Sequence, residues 1–303
     1  RFLGRQIFIE NGKLQISLKA EISASEGVVP TPKYIADHVV KQTLDPLFKH
    51  KSLDESSYVR VIDISCGSGT FLLAAYEYLQ HHYLEIYLTL SPEERKNYIY
   101  ELIGGRWKLR LNIKQDILLH HIYGVDVDPY ATEVAQFGLL LKLLEGETER
   151  SIQAHLESKS RTVLPHLRDN IHCGNSLIDH SYFAFKPGAL ENDELLEKIK
   201  PFDWKEAFPN AMGAGGFDAI IGNPPYIRIQ NLKKHLSEEI EFYKDKKYGY
   251  ATSRNNNFDK YYLFIERAIQ LLNPNGRIGY IVPHKFFVVK GGKNLRKLLS
   301  EKI

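Results

Sequence analysis

The sequence has little cysteine and no long apolar run. Its 303 residues contain two cysteines, Cys66 and Cys173, which are too few for a disulfide scaffold or a Cys-rich zinc site and suit a reducing, cytoplasmic compartment. No stretch approaches the roughly 18 consecutive apolar residues of a membrane span, and the first residues lack the apolar core of a signal peptide. The twelve histidines include no H-E-x-x-H spacing. An integral membrane protein and a disulfide-rich secreted domain are therefore excluded, and no metal site is predicted.

The remaining composition is that of an ordinary folded protein. With 43% hydrophobic and 25% charged residues, the chain can build one large domain or two modest ones. The net charge of +3 permits a polyanionic partner but does not require one. Because the first residue is Arg rather than Met, we expect a piece of a longer polypeptide.

Short β-branched segments alternate with helical patterns from residue 58 onward. The predicted strands are 58–64, 122–127, 170–173, 217–221 and 277–282. The predicted helices are 32–48, 70–90, 129–144, 258–272 and one near 295–299, with Thr31 as the cap of the first and Ser91 as the cap of a further short one. This alternation predicts an α/β fold with a mostly parallel, doubly wound sheet. Two insertions interrupt it, a helical one at about 80–120 and an irregular one at 180–216.

Polar or glycine-rich segments follow four of the predicted strands. They are Asp63–Gly69, Asp126–Asp128, Gly174–Asn175 and Asn223–Tyr226. In a doubly wound sheet the ligand lies beyond the carboxyl ends of the strands. These segments are therefore expected to converge on one binding site.

The segment after the first strand predicts a cofactor that carries a positive charge. Gly67 and Gly69 allow a sharp turn and a close approach to a ligand, and the same segment includes Ser65. Leu72 stands where a dinucleotide fingerprint has its third glycine, and the lysine of a P-loop is also missing. Asp63 would repel a pyrophosphate and attract an ammonium group, which favours S-adenosylmethionine over NAD. A glycine turn that serves packing alone is the alternative.

The next two strand ends are assigned to the nucleoside. Asp126 can accept both ribose hydroxyl hydrogens, and Val127 can pack on the adenine face. Asp128 is assigned to capping the helix that follows. Asn175 can hydrogen-bond the adenine amino group or a ring nitrogen, and an Asx turn is the alternative.

The tetrapeptide Asn223-Pro224-Pro225-Tyr226 follows the fourth strand directly. Its prolines lack N–H groups and fix φ, so the local carbonyls are rigid acceptors without competing donors. Asn223 adds an amide oxygen, and Tyr226 adds an aromatic face. This combination suits a planar substrate that bears an amino group; a Pro-Pro turn at the end of a strand is the alternative.

With these segments in this order, the sequence resembles the class I S-adenosylmethionine-dependent methyltransferases, and more narrowly the N6-adenine DNA methyltransferases of restriction–modification systems. Further matches are Thr31-Pro32, Asp259–Phe264 and Ile281-Val282-Pro283. The resemblance covers about residues 27–300 and implies a Rossmann-like fold. Residues 1–57 would form an N-terminal segment and a helix over the cofactor site, and residues 58–303 the catalytic domain. Because that helix lies over the methionine end of the cofactor in the family, Thr31 is assigned to cofactor binding.

The resemblance also implies a mechanism without a general base. The side-chain oxygen of Asn223 and the carbonyl of Pro224 would accept the two hydrogens of the adenine amino group, and Tyr226 would stack on the base. A base inside a duplex must be flipped out to be reached, so double-stranded DNA with a flipped adenine is the expected partner. Asn rather than Ser at the first position of the tetrapeptide favours adenine over cytosine.

The sequence departs from the family in two respects. Gly291-Gly292 occupy the place of an aromatic residue that helps to hold the flipped base, and Phe286 or Phe287 is predicted to substitute. The chain also stops at Ile303, before two antiparallel strands and a DNA-recognition domain of the family. We therefore expect the catalytic part of a larger polypeptide, with recognition by a C-terminal domain or a partner subunit.

Two groups of basic residues are candidates for phosphate contacts. They are Lys285, Lys290, Lys293, Arg296 and Lys297 after the fifth strand, and Lys244, Lys246 and Lys247 after the tetrapeptide. Phosphate contacts position a protein on DNA without reading its sequence. A solvated basic face is the alternative.

Two rival functions stay open. Asn-Pro-Pro-Tyr also suits methyltransferases that act on a protein glutamine or an RNA base, although the long insertions between Asp63 and Asn223 are unlike the compact glutamine enzymes. A cofactor-binding regulatory subunit without catalysis is the other rival, because Gly291-Gly292 replace the aromatic residue.

Overall fold

The computed structural model describes residues 5–10, 13–18, 31–49, 59–102, 104–157, 162–232, 237–254 and 257–302. In chain order its strands are β1 (Arg5–Glu10), β2 (Lys13–Leu18), β3 (Val61–Asp63), β4 (Ile99–Glu101), β5 (Trp107–Leu109), β6 (Ile122–Asp126), β7 (Ile171–Cys173), β8 (Phe217–Gly222) and β9 (Leu272–Tyr280). Its α-helices are α1 (Lys33–Phe48), α2 (Thr70–Leu88), α3 (Pro92–Arg95), α4 (Leu111–His121), α5 (Pro129–Leu144), α6 (Glu149–Glu157), α7 (Ser181–Phe185), α8 (Asp193–Ile199), α9 (Trp204–Ala207), α10 (Pro209–Gly213), α11 (Ile229–Leu232), α12 (Ser237–Lys244), α13 (Lys260–Leu271) and α14 (Lys293–Lys302). Short 3₁₀ helices lie at Pro187–Glu191, Ala251–Ser253, His284–Phe287 and Lys290–Gly292.

A five-stranded parallel sheet forms the centre of the molecule. Its strand order is β7-β6-β3-β8-β9, and each neighbouring pair is parallel. The chain enters the sheet in the middle at β3, proceeds outward through β6 and β7, and returns to the other side of β3 for β8 and β9. This doubly wound, Rossmann-like arrangement confirms the predicted fold class. In such sheets ligands bind at the carboxyl ends of the strands where the winding reverses, here those of β3 and β8.

Helices cover both faces of the sheet, because successive strand residues point to opposite sides. Val61 belongs to the apolar core under α1, α2, α4 and α5, whereas its neighbour Ile62 belongs to the core under α8, α12 and α13. In β8, Ile221 lies in the first core and Ile220 in the second. A sheet buried on both faces needs apolar residues at successive positions, which explains the continuous β-branched runs of the sequence.

The predicted elements of the sheet and its main helices are confirmed, with ends that differ by a few residues. Strand β9 begins at Leu272 rather than at residue 277. The start of the predicted first strand at Tyr58, and the domain boundary predicted after residue 57, lie outside the described residues. Across the described part of the chain, no α-helix is long and apolar enough to cross a membrane.

Both insertions differ from their predicted form. The insertion at about 80–120 is not wholly helical, because the antiparallel pair β4–β5 lies between α3 and α4. The insertion at 180–216 is not irregular: α7 to α10 follow one another there. Its aromatic residues Tyr182, Trp204 and Phe208 are buried in the second core. Buried rings therefore stabilise helices that are too short to be stable by themselves.

The two predicted helix caps have different outcomes. Ser91 forms a capping box with Glu94 at the start of α3, as predicted. The cap predicted for Thr31 is wrong, because Pro32 is the N-cap residue of α1 and its carbonyl accepts the first helical hydrogen bonds. Thr31 lies just outside the helix, and its hydroxyl is left for another contact.

The glycine turn before α2 offers a stability test. Gly69 has a φ of +86°, and a Cβ there would lie 3.0 Å from the Cβ of Ala135 on α5. We predict that Gly69→Ala lowers the free energy of unfolding by about 1–3 kcal/mol, because the backbone conformation and the contact are both unfavourable. Urea denaturation measures the change.

Gly138→Ala is the matched control. Gly138 lies inside α5, where an added Cβ would meet Leu73 at an ordinary 3.6 Å. Alanine at a helix interior is expected to raise the free energy of unfolding by about 0.5–1 kcal/mol. Equal changes in the two variants would contradict the packing role of Gly69.

Candidate active site

Two strand ends come into direct contact at the centre of the sheet. Asp63 is the last residue of β3, and Gly222 is the last residue of β8. A Cβ at Gly222 would lie 2.7 Å from Oδ1 of Asp63, so a side chain at this position would prevent the two strands from ending side by side. The φ of Gly222, +149°, also lies in the region that other residues avoid. Asn223 follows directly from this packed pair.

Asp63 is a buried acid. It is 1% exposed, and its Oδ1 accepts a hydrogen bond of 2.9 Å from the N–H of Ser65. Burial raises the pKa of Asp63 to about 8, with a smaller upward contribution from Asp126, although the hydrogen bond from Ser65 acts in the opposite direction. A cationic group placed beside this carboxyl would favour its ionised form. That is the property which the predicted contact with an ammonium group requires.

The glycine segment joins the ends of β3 and β6. The N–H of Gly67 donates to Oδ2 of Asp126 at 2.8 Å, and the N–H of Asp128 donates to Oδ1 at 2.9 Å. A carboxylate has about four lone-pair sites, so ligand hydroxyls can add to these two amide contacts. A Cβ at Gly67 would meet no atom within 4 Å, in contrast to the close packing at Gly69. Gly67 therefore faces open space next to Asp126, whereas Gly69 packs on Ala135, and a contact of Gly69 with the cofactor stays a prediction.

The other residues assigned to the nucleoside have distinct surroundings. Asp128 caps α5 as predicted, because its Oδ1 accepts from the N–H of Tyr130 at 3.1 Å. Val127 is half-buried directly after β6. Asn175 is 5% exposed, and its Oδ1 accepts from the N–H of Leu177 at 3.1 Å. This is the Asx turn that the sequence left open, and a contact of Asn175 with adenine stays a prediction.

The side chain of Asn223 is held at both ends. Its Nδ2 donates to the hydroxyl oxygen of Thr31 at 3.1 Å, and its Oδ1 accepts from the hydroxyl of Tyr226. The Tyr226 hydroxyl also lies 2.6 Å from the carbonyl oxygen of Ile281. Because a phenol has one hydrogen, these two acceptors share it. Thr31, assigned by the sequence to a helix cap and to the cofactor, thus contacts the tetrapeptide.

Tyr226 presents an aromatic surface at the end of β8. It is 40% exposed, and its ring meets that of Tyr261 edge-on, with 5.8 Å between centroids and an angle of 85°. Partial burial raises the pKa of Tyr226 to about 12, so its hydroxyl is a donor at neutral pH. Sequence reasoning assigned no role to Tyr261 or to the Ile281 carbonyl. Both lie in segments singled out by the resemblance, which was the available signal.

The place of the missing aromatic residue is closed to a side chain. A Cβ at Gly291 would lie 2.5 Å from the carbonyl oxygen of Asn257, so the backbone packs there directly. Phe286 is 5% exposed and cannot stack on a ligand, so its predicted role as a substitute is wrong. Phe287 stacks on Phe286 with 4.1 Å between centroids and is 62% exposed. Phe287 stays the predicted substitute.

The sequence matches two protein families. Residues 120–303 match the Eco57I restriction-modification methylases, and residues 15–169 match the N-6 DNA methylases. The type II restriction enzyme and methyltransferase RM.Eco57I of Escherichia coli is 37% identical over 99% of this chain and 27% of its own length. The putative type II restriction enzyme and methyltransferase RM.MjaORFECS2P of Methanocaldococcus jannaschii is 24% identical over 83% of this chain and 28% of its own length. The chain thus spans little more than a quarter of these two relatives.

A solved structure has a similar fold. It is a nuclease-deletion mutant of the Type ISP restriction-modification enzyme LlaGI in complex with a DNA substrate mimic. The TM-score is 0.51 at 20% sequence identity, over 91% of this chain and 20% of that one. At this identity the similarity concerns the fold alone.

The buried carboxyl of Asp63 predicts a pH-dependent effect on stability. The folded pKa is about 8 and the ordinary value is 3.8, so between these pH values the folded protein holds a proton that the unfolded chain releases. The contribution of Asp63 to the free energy of unfolding therefore falls as the pH rises through this window. We expect Asp63→Asn, which does not titrate, to gain stability relative to the wild type as the pH is raised.

Urea denaturation of both proteins between pH 5 and pH 8 measures this effect. The slope of the stability difference cannot exceed about 1.4 kcal/mol per pH unit for one proton. The same pair of proteins below the ordinary pKa of 3.8 is the internal control, because Asp63 is then mostly protonated in both the folded and the unfolded wild type. A stability difference that is constant across the range would contradict the assignment.

Proposed function

The chain belongs to the N-6 DNA methylases and the Eco57I restriction-modification methylases, and from this premise we propose that it transfers a methyl group from S-adenosylmethionine to the N6 amino group of adenine in DNA. The observation that carries the proposal is the packing of Gly222 on the Asp63 carboxyl. It puts the acceptors of Asn223–Tyr226 directly beyond a carboxyl suited to a cationic methyl donor. We further propose that the reaction belongs to a restriction–modification system, in which this chain is the catalytic part.

The residues at the ends of β3 and β6 fit S-adenosylmethionine, whose use the family implies in general. Asp63 is an acid whose pKa is raised by burial, so the ammonium group of the methionine part would favour its ionised form. Asp126 has acceptor capacity for ribose hydroxyls, and the open space at Gly67 admits a ligand close to the backbone. When bound, the cofactor supplies an electrophilic methyl group on a sulfonium. We propose that Ser65, Gly69, Val127 and Asn175 complete this site, and that Thr31 lies over its methionine end.

The tetrapeptide would prepare the adenine amino group for attack. The lone pair of this nitrogen is delocalised into the ring, which makes the amino group a poor nucleophile. Oδ1 of Asn223 and the carbonyl of Pro224 would accept its two hydrogens and direct the lone pair away from them. Pro224 and Pro225 contribute no competing donor and fix the backbone. Acceptors held in position before the substrate arrives need little reorganisation, which is the main source of such rate enhancement.

The Tyr226 hydroxyl is compatible with this role. It lies between Oδ1 of Asn223 and the carbonyl of Ile281. When it donates to Ile281, Oδ1 can accept from the substrate while Nδ2 keeps its hydrogen bond to Thr31. The carboxamide oxygen would then be available to the base, with Nδ2 still bound to Thr31.

We propose double-stranded DNA with a flipped adenine as the substrate. The exposed ring of Tyr226 supplies a stacking surface beside the acceptors. Recognition of the DNA sequence would reside elsewhere in a longer polypeptide or in a partner subunit. The relatives, of which this chain spans little more than a quarter, leave room for such a domain.

Asn223→Ala tests the amino-group acceptor. Loss of this oxygen should reduce methyl transfer to duplex DNA by about 100-fold or more, with the affinity for S-adenosylmethionine unchanged. Radiolabelled methyl transfer measures the rate, and calorimetry measures the cofactor affinity. The same assay with RNA and with a glutamine-containing protein substrate tests the rival enzymes. Cofactor binding without transfer to any of the three would favour the regulatory subunit.

Tyr226→Ala and Tyr226→Phe form a matched pair for base stacking. Alanine removes the ring and should weaken DNA binding by about 1–3 kcal/mol. Phenylalanine keeps the ring and loses only the hydroxyl, so DNA binding should stay close to that of the wild type. Fluorescence anisotropy with a labelled duplex measures both affinities. If both variants lose the same DNA affinity, the ring of Tyr226 does not stack on the base.

A further inference from the structure

A cavity of about 410 Å³ opens two residues beyond Tyr226. Its walls come from the residues after the tetrapeptide, from the start of α13 and from the turn between β9 and α14. Three of its lining side chains are basic, Arg228, Lys285 and Lys290, and one is acidic, Asp259. This excess of basic residues next to the proposed base site indicates an anionic ligand.

The backbone directs Arg228 to the same side as Tyr226. Ile227 and Ile229 are 3% and 0% exposed, whereas Tyr226 and Arg228 are exposed. This alternation is that of an extended chain, in which residues two apart share a face and lie about 6.6 Å from each other. The segment is held by a hydrogen bond of 2.8 Å from the N–H of Lys260 to the carbonyl of Ile227. The ring of Tyr226 and the guanidinium of Arg228 therefore lie on the same side of this segment, one after the other.

The charges of the cavity do not cancel. Lys285 pairs with Asp259 at 2.8 Å, and the Asp259 side chain is 10% exposed, so this acid is already neutralised. Among the described residues, neither Arg228 nor Lys290 has an ion-pair partner. Two positive charges therefore remain for an anion, and a guanidinium suits the oxygens of a phosphate.

The cavity is unsuited to a nucleobase. Its aromatic residues Phe258 and Tyr262 are 2% and 1% exposed, so neither ring offers a face for stacking. At its rim Gly291 has no side chain, and the contact of its backbone with Asn257 leaves no room for one. An anion rather than a nucleobase is therefore the ligand that the charge and the lining of this cavity favour.

We propose that this cavity binds the DNA backbone phosphate adjoining the flipped adenosine, through Arg228 and Lys290. The pair Lys285–Asp259 also lines the cavity. The inference rests on the proposed function, since it assumes that the base lies on Tyr226. It adds a phosphate site that would hold the target nucleotide next to the proposed base site.

Arg228→Gln and Lys290→Gln in the full-length protein test the proposal. Each should raise the dissociation constant for a mixed-sequence duplex about tenfold. Each should also reduce the slope of log K against log salt by about 0.7–0.9, as expected for one lost phosphate contact. Arg228→Lys, which keeps the charge, should recover part of the affinity. The affinity for S-adenosylmethionine should stay that of the wild type.

Lys96→Gln is the control with the same change in net charge. Lys96 is exposed and pairs with Glu93. Both residues lie beyond the end of α2, and this helix begins at the carboxyl ends of the strands and runs away from the sheet edge where the proposed site lies. DNA affinity and salt slope should be unchanged in this variant. If Arg228→Gln and Lys290→Gln behave like Lys96→Gln while the wild type methylates DNA, the phosphate site is refuted. Absence of methylation by the wild type would instead overturn the proposed function, and the inference with it.

A modified substrate locates the phosphate. Once the methylated sequence has been read from treated DNA, the phosphate next to the target adenine is replaced by an uncharged methylphosphonate. With this substrate the affinity of the wild type should fall about tenfold. The affinity of Arg228→Gln, already reduced by the substitution, should fall by less than about twofold when the unmodified duplex is exchanged for the modified one. If the modification lowers the affinity of both proteins by the same factor, Arg228 contacts some other group.

Discussion

The contact between Gly222 and the buried carboxyl of Asp63 is the constraint on which the site depends. It joins the ends of β3 and β8 at the point where the winding of the sheet reverses. Two strands that are far apart in the sequence therefore end side by side. The tetrapeptide leaves the sheet directly from this contact. A side chain at Gly222 would separate the two strand ends and, with them, the acid from the acceptors. Packing at one glycine therefore sets the geometry between the proposed cofactor and the proposed base.

Around this contact the site is assembled from groups that accept hydrogen bonds. Asp63 and Asp126 are held by backbone amides. The carbonyls of the tetrapeptide have no proline N–H beside them. Asn223 donates from its Nδ2 to the hydroxyl oxygen of Thr31, and its oxygen accepts from the hydroxyl of Tyr226. An acceptor-rich site of this kind suits a cationic donor and an amino group. In the proposed step the N–C bond would form as the S–C bond breaks, S-adenosylhomocysteine would leave, and the surplus proton on the nitrogen would be lost to water afterwards. The basic residues lie further out, around the cavity at Arg228.

Much of the fold and part of the site could be predicted from local signals. The five strands, the order of the motifs along the chain and the caps at Ser91 and Asp128 follow from β-branched runs and capping residues, whose physics acts within a few residues. The failures have a common cause. Thr31 carries the signal of a cap, yet its hydroxyl contacts Asn223, far away in the sequence. Phe286 is buried although a substitute stacking residue was expected there, because the turn around it packs backbone against backbone.

By itself, the sequence determined which residue types stand at the strand ends, and these residue types led to the classes of cofactor and substrate group that we propose. Composition and short-range pattern are sufficient for that, because glycine conformation, proline geometry and carboxylate charge are properties of single residues. Only the tertiary structure decided which of these groups meet. It separated Gly67, open to a ligand, from Gly69, closed by Ala135, and it paired Asn223 with Thr31. The physical reason is that burial and contact between distant segments depend on how the sheet and its helices pack, and no local signal carries that information.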